Sequence, residues 1–215
     1  MNLTLHYHPL SSFCWKALIG LYELEVPFRR NVVDLGNTTE REALAKLWPM
    51  KKFPVLHDAV TDHAIPESSI ILEYLDRHAT ATSRLLPADS ERALRCRLRD
   101  RFYDMHVHLP MQKIVGDKLR PAGGSDPIGV QHAAGQIEMA YGIANDWARE
   151  SEWAAGEVFT MADCAAAPAL FYSSRVVPFG DVHRDLAAYF ARLQKRASVA
   201  RVLREAEPYM HMFPG

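Results

Sequence analysis

Residues 52–68, KFPVLHDAVTDHAIPES, contain two strand-like segments followed by the start of a helix. The apolar segments 53–57 and 64–66 have the composition of β-strands, and the polar residues between them form a turn, which predicts a short hairpin. Glu67 and Ser68 then open a segment whose apolar side chains recur at helical spacing. These side chains are Ile70, Ile71, Tyr74 and Leu75. The stretch therefore predicts a ββα unit.

A strand, a helix and another strand precede this unit. Residues 3–7 alternate apolar and polar side chains, which is the period of a half-buried strand. A helix follows, with Ser11 or Ser12 as its N-cap, and we expect a second strand over 28–34 and a helix over 39–47. The strand, helix, strand order implies a right-handed parallel crossover. Together these segments predict a βαβ–ββα domain with a mixed sheet.

The rest of the chain shows no strand pattern. Helical segments are predicted over 90–119, 127–150, 161–177, 183–196 and 199–206. Two of their starts carry capping signals, because Asp126-Pro127 joins an acidic N-cap to a proline and residues 160–163 can form a capping box. Residues 79–89, rich in Thr, Ala and Pro, are interpreted as a linker. We therefore expect an α+β domain over 1–78 and an all-α domain over 90–215.

Composition and charge exclude several classes of protein. The 215 residues include 25 Lys and Arg against 26 Asp and Glu, with no basic half, strip or tail, so the charge pattern of nucleic-acid binding is missing. The longest apolar stretch, 164–172, has nine residues and is too short to span a membrane. The first residues lack the features of a secretory signal. We expect a cytoplasmic protein with neither nucleic-acid nor membrane partners.

The cysteines and histidines predict no metal site. Cys14, Cys96 and Cys164 are odd in number and lack Cys-x-x-Cys spacing, which argues against a disulfide framework and against a zinc site. His106 and His108 lie about 200° apart around a helix, so they cannot chelate one ion together. No Cys, Asp or Glu near them completes a set of zinc ligands. No metal is expected.

Four short motifs, in this order and at these distances, resemble those of the cytosolic glutathione S-transferases. They are SSFCWK at 11–16, KFPVL at 52–56, Glu-Ser at 67–68 and TMAD at 160–163. The resemblance covers the whole chain. It is to bacterial-like members of the serine-type classes, and the first motif is similar to that of the theta, zeta or tau class. It implies a thioredoxin-like N-terminal domain and an all-α C-terminal domain. It also implies a homodimeric detoxification enzyme that activates the thiol of its co-substrate glutathione to attack a hydrophobic electrophile.

The first motif supplies the candidate catalytic residue. The thiolate is the nucleophile, and an unperturbed thiol has a pKa of about 8.5, so the enzyme must favour the anion. A hydroxyl that donates to the sulfur at a helix N-terminus has this effect. By resemblance Ser11 takes this position, and Ser12 and Cys14 remain alternatives. An exposed Cys14 would instead form a mixed disulfide with glutathione and make the protein a thiol reductase.

The second and third motifs are expected to bind glutathione. In the family, the residue before a cis-proline pairs its backbone with the cysteinyl unit, which points to Phe53 and Pro54. The residues alone are also compatible with a trans-proline on an edge strand. At the third motif, Ser68 and a helix N-terminal N–H suit the γ-glutamyl carboxylate, and Glu67 suits the ammonium group.

Other residues complete the expected site. Lys52 and His8 suit the glycyl carboxylate, and Asp100 or Asp104 is expected near glutathione bound to a neighbouring subunit. The second substrate is expected between the domains, against the fourth helix and the C-terminal tail. Its candidate wall residues are Tyr103, His106, Met111, Tyr172 and Phe213.

The same residues leave other activities open. Residues 11–16 also resemble zeta-type enzymes, in which glutathione is the cofactor of a cis-trans isomerisation, although Phe13 replaces the motif's cysteine and Lys16 its arginine. Peroxidase and dehalogenase activities use the same kind of site. A hypothesis of another class is a non-catalytic protein that keeps the fold to bind glutathione, a hydrophobic ligand or a protein partner.

Overall fold

A four-stranded mixed sheet forms the centre of the N-terminal part of the chain. The computed structural model describes residues 1–78 and 84–214. The strands are β1 (Leu3–Tyr7), β2 (Phe28–Val32), β3 (Val55–Asp58) and β4 (His63–Pro66). They lie in the order β2-β1-β3-β4, with β1 parallel to β2 and the other two pairs antiparallel. The predicted parallel crossover and hairpin are confirmed.

Three helices accompany the sheet. They are α1 (Ser12–Glu23), α2 (Thr38–Leu47) and α3 (Ser68–His78). Ser11 is the N-cap of α1, where its side chain accepts a hydrogen bond from the backbone N–H of Cys14. The side chain of Asn37 caps α2, so this helix begins at Thr38, one residue earlier than predicted. Strand β2 ends at Val32, two residues earlier than predicted.

The C-terminal part is all-helical, as predicted. Its α-helices are α4 (Ser90–Phe102), α5 (Leu109–Lys118), α6 (Pro127–Glu150), α7 (Met161–Val176), α8 (Arg184–Lys195) and α9 (Ala197–Ala206). A 3-10 helix, Glu207–Met212, follows α9. The side chain of Asp126 accepts from the backbone N–H of Gly129, so the predicted acidic cap of α6 is present.

A π-helical segment, Tyr103–His108, interrupts the single helix predicted over 90–119. In an α-helix, side chains four positions apart differ by about 40° in direction, because four residues rotate about 40° beyond a full circle. The wider turns of a π-helix rotate less per residue, so this difference becomes smaller. The segment therefore keeps Asp100, Asp104 and His108 on one face. All three contact side chains of α1 from there.

Helix α7 joins the helical part to the sheet part. Residues 161–173 are all buried, as predicted for a helix that is apolar nearly all round. The capping box between Thr160 and Asp163 is present. Helix α7 packs against α1 and α4, and the hydroxyl of Tyr172 donates to the carbonyl of Leu10 at 2.8 Å. Helix α7 therefore supports the loop that leads into α1.

The predicted linker at 79–89 is described only in part. Residues 79–83 lie outside the described residues, as does Gly215. In the described part, the backbone carbonyl of Leu85 accepts from the N–H of Met161 at 2.8 Å. The predicted domain bounds at 78 and 90 stay a prediction.

None of the described helices is long and apolar enough to cross a membrane.

Candidate functional site

A polar cleft of about 240 Å³ lies between the start of α3 and the segment that runs from α4 into α5. Five of the six residues predicted to bind glutathione line this cleft. They are Lys52, Phe53, Pro54, Glu67 and Ser68. The fold therefore places the second and third sequence motifs on one surface.

An apolar cleft of about 370 Å³ adjoins the polar cleft at Phe53, which lines both. Ser11 and Ser12 lie on its wall. Its other walls are His8, Leu10, Met111, Gln112, Val115, Gly116, Leu119, Tyr172 and Phe213. Three of these, Met111, Tyr172 and Phe213, were predicted to contact a hydrophobic substrate. The two clefts meet close to the start of α1.

Ser11 is placed to donate a hydrogen bond into the apolar cleft. It is half-buried, and its Oγ accepts from the backbone N–H of Cys14 at 3.4 Å. A hydroxyl carries one hydrogen and two acceptor sites, so this cap leaves the hydrogen of Ser11 free to donate. The unpaired N–H groups at the start of α1 add positive potential at the same place. This arrangement favours an anion near the Ser11 hydroxyl.

Cys14 is not an exposed thiol. Its side chain is fully buried, and burial raises the pKa of this thiol to about 12. The thiolate, rather than the thiol, exchanges with disulfides, and it needs access to the reacting partner. The structure therefore contradicts the alternative of an exposed Cys14 that forms a mixed disulfide with glutathione.

Backbone geometry at the polar cleft is unusual at two positions. The peptide bond between Phe53 and Pro54 is cis, which answers the question that the sequence left open. Glu67 has a φ of 67°, in the left-handed region, where a side chain other than glycine costs about 1–3 kcal/mol. Such strain concentrates at functional sites. Ser68, the first residue of α3, is buried beside it.

A buried ion cluster lies behind the two clefts. Nζ of Lys16 is 2.7 Å from carboxylate oxygens of both Asp100 and Asp104 and donates to Oγ of Ser69 at 2.8 Å. Ser69 in turn donates to Asp100 at 2.7 Å. Lys16 is 1% exposed. It is held by its own chain and does not line either cleft.

The same cluster corrects the prediction for Asp100, whereas the alternative, Asp104 near glutathione of a neighbouring subunit, stays a prediction. Asp100 is 1% exposed and is paired with Lys16, so it does not reach a ligand of a neighbouring subunit. Asp104 lines the polar cleft of its own chain, together with Arg101. Burial raises the pKa of Asp104 despite its contact with Lys16. Sequence reasoning missed Arg101 as a cleft residue, and no motif signalled it.

Comparison with known proteins identifies the family. Residues 5–83 match the model of the glutathione S-transferase N-terminal domain, and residues 103–197 match that of the C-terminal domain. The chain belongs to the glutathione S-transferase family. This membership confirms the predicted family, the fold class and the class of enzyme. Glutathione S-transferase U25 of Arabidopsis thaliana is 27% identical over 214 residues, which covers 95% of this chain and 90% of that protein.

Solved glutathione S-transferases have the same fold. One from Methylobacillus flagellatus, with glutathione bound, is 23% identical and has a TM-score of 0.85, with 94% of this chain and 98% of that chain covered. Another from Methylobacterium radiotolerans, in complex with glutathione sulfonate, is 24% identical and has a TM-score of 0.81, with 94% of each chain covered. At this level of identity the likeness shows the fold alone.

Tyr103 and His106 lie away from the clefts of this family member. Tyr103 is buried in the helical part, where its ring meets that of Phe102 edge-on with 5.6 Å between centroids. His106 is exposed and tilts against the same Phe102 ring. Because Asp104 and His108 face α1, residues 103 and 106 point in other directions. Their prediction as walls of the hydrophobic site is wrong.

His8 lies on the apolar cleft rather than the polar one. Its ring stacks on Phe53, with 5.9 Å between centroids, and its Nδ1 accepts from the N–H of Leu10 at 3.2 Å. Burial lowers the pKa of His8, which disfavours its charged form.

Within residues 1–78 and 84–214, no group of three or more His, Cys, Asp and Glu side chains is arranged to hold a metal ion.

Proposed function

We propose that this glutathione S-transferase binds glutathione in the polar cleft and that Ser11 activates the thiol for attack on an electrophile in the apolar cleft. The observation that carries the proposal is the position of Ser11. Ser11 lies on the apolar cleft near the place where Phe53 joins the two clefts, and its cap to the N–H of Cys14 uses only an acceptor site of the hydroxyl. On this proposal the protein is a serine-type member of the family.

The charges of the polar cleft match those of glutathione. Glu67 suits the ammonium group of the γ-glutamyl unit, while Ser68 and the N-terminus of α3 suit its carboxylate. The backbone of Phe53 pairs with the cysteinyl unit, and Lys52 meets the glycyl carboxylate. This orientation directs the sulfur toward Ser11.

The proposed reaction needs no group beyond the two substrates. The thiol loses its proton to solvent, and the Ser11 hydroxyl donates to the resulting thiolate. A sulfur lone pair then forms the bond to the electrophilic carbon, whose leaving group departs with its electron pair. The apolar walls at Met111, Tyr172 and Phe213 suit a hydrophobic electrophile. Conjugation of this kind is the basis of the proposed role in detoxification.

The thiol pKa of bound glutathione tests this proposal. Thiolate absorbance is followed against pH in the parent protein and in Ser11→Ala. Loss of a hydrogen bond to a charged group costs about 1.5–3 kcal/mol, so we expect a thiolate fraction and a kcat/KM at least about tenfold lower in the variant. Ser151→Ala, which lies away from both clefts, is the matched control. An unshifted thiol pKa in the parent protein would refute the assignment.

We also propose a homodimer formed through α3, α4 and the segment that leads into α5. This face carries exposed apolar side chains next to the polar cleft. They are Ile70, Leu94, Leu98, Met105 and Leu109. Met105 and Leu109 line the polar cleft as well, so a partner on this face borders the glutathione site. An apolar strip of this kind favours association.

We propose a cytoplasmic location on chemical grounds. Cys14, Cys96 and Cys164 are all buried and unpaired, as is usual for proteins of a reducing compartment. Reduced glutathione, the proposed co-substrate, is the thiol that keeps such a compartment reducing. Cell fractionation followed by detection of the chain tests this location.

A further inference from the structure

Ser12, next to Ser11, is a second serine on the wall of the apolar cleft. It is 6% exposed, and its Oγ lies 2.8 Å from Nε2 of His108. His108 is 1% exposed and stacks face to face on Phe13, with 4.1 Å between ring centroids and 10° between the planes. The hydroxyl and the imidazole are thus held in one geometry by α1 and the π-helical segment.

His108 makes this contact as a neutral imidazole. Burial, and to a smaller extent the positive charge of Lys16, lower its pKa to about 3. A neutral imidazole has one N–H and one acceptor nitrogen. When Nε2 carries the hydrogen, it donates to Oγ of Ser12. The hydroxyl hydrogen of Ser12 is then free to donate into the apolar cleft, as that of Ser11 is.

We propose that Ser12 is a second hydroxyl donor to the sulfur of glutathione and that His108 is the residue that positions it. The inference rests on the proposed function, because it concerns the same sulfur atom. Ser11 and Ser12 are consecutive at the start of α1, and both line the apolar cleft. Two hydroxyl donors stabilise a thiolate more than one does. His108 does not take up the thiol proton, which leaves to solvent.

Variants of Ser12 and His108 separate this role from simple packing. Ser12→Ala and His108→Leu are each expected to lower the thiolate fraction of bound glutathione about tenfold at a pH below the thiol pKa. His108→Gln keeps an amide N–H near the place of Nε2, so it is expected to retain most of the thiolate. S-methylglutathione has no thiol proton, so its affinity is expected to stay unchanged in all three variants.

The experiment combines thiolate absorbance titration with calorimetric binding of S-methylglutathione. The proposal is overturned if Ser12→Ala titrates like the parent protein, if His108→Gln loses as much thiolate as Ser12→Ala does, or if S-methylglutathione binding falls as much as the thiolate fraction. The pair formed by Ser12→Ala and His108→Gln remains decisive even if His108→Leu does not fold. Ser11→Ala distinguishes the two proposals. A thiol pKa raised only by Ser11→Ala refutes the role of Ser12 and leaves the proposed function intact.

Discussion

Lys16 joins α1 to α4 and to the π-helical segment through buried ion pairs. It offers one positive charge to two buried carboxylates, Asp100 and Asp104, and it is also hydrogen-bonded to Ser69. A buried ion pair contributes little net stability, but removal of one partner leaves an uncompensated charge and costs about 3–5 kcal/mol. The cluster therefore fixes the position of α4 against α1 and, with it, the back wall of the polar cleft.

His108 makes the folded state sensitive to acid. Its pKa is lowered from about 6.5 in the unfolded chain to about 3 in the folded one. Below pH 6.5 the unfolded state therefore binds a proton that the folded state does not. The free energy of unfolding is expected to fall as the pH drops from 6.5 toward 3, by about 5 kcal/mol at most from this residue.

Urea denaturation at several pH values checks this expectation. His108→Gln removes the titrating group, so the decline in stability between pH 6.5 and pH 4 is expected to be smaller than in the parent protein. His132→Gln alters an exposed histidine and serves as the control. Equal slopes in all three proteins would show that His108 is not the cause.

The site residues that were predicted and those that were missed differ in whether a local sequence pattern marks them. Ser11, Phe53 and Glu67 stand in short motifs, because the backbone near them has to adopt one local geometry. Arg101 lines the polar cleft, and His108 contacts Ser12 beside the apolar cleft, only because segments distant in the sequence lie next to α1. No local pattern marks such residues, since their partners lie far away in the chain.

At the level of the helix, the start of α7 depends on Asp163. Its carboxylate accepts from the N–H groups of Ala154 and Thr160 and from the hydroxyl of Tyr189, at 2.7–2.8 Å. All of these groups are buried. Removal of the carboxylate leaves several buried donors without a partner, and each costs about 1–3 kcal/mol.

Asp163→Ala and Asp89→Ala compare a buried helix cap with an exposed one. Asp89 caps α4 through one hydrogen bond to the N–H of Arg92, at 2.9 Å, and its removal is expected to cost about 1 kcal/mol. Asp163→Ala is expected to cost about 3 kcal/mol or more. Thermal and urea unfolding measure both. Similar losses in the two variants would contradict the role given to the buried hydrogen bonds.

Helices with strong caps were predicted best. The bounds of α6, Pro127–Glu150, agree with the prediction, because Asp126 and Pro127 mark its start in the sequence. The π-helical segment at Tyr103–His108 was not predicted. Its residues form an ordinary helical pattern, and the wider turn follows from the packing of Asp104 and His108 on α1.

At the level of the whole molecule, the exposed apolar face on α3 and α4 carries the prediction about assembly. Light scattering is expected to give twice 24.3 kDa for the parent protein. Leu98→Glu places a charge in the centre of the face and is expected to yield particles of 24.3 kDa.

Met139→Glu is the matched control for this experiment. Met139 is an apolar residue on α6 that is more exposed than Leu98, and it lies outside the proposed face. This variant is expected to keep the mass of the parent protein. A parent mass of 24.3 kDa, or dissociation caused by Met139→Glu alone, would contradict the proposed dimer.

Local signals in the chain were sufficient for the two-part architecture, the element order and five of the twelve residues that line the polar cleft. Periodicity, caps and turns act over a few residues, so they can be read without knowledge of the partners. Whether Cys14, Tyr103 and His106 are buried or line a cleft depended instead on which side of each helix packs against another element. Burial and the charge of the Lys16 cluster arise only when α1, α3 and α4 pack together. For that reason the roles of Asp104 and His108 emerged from the folded structure.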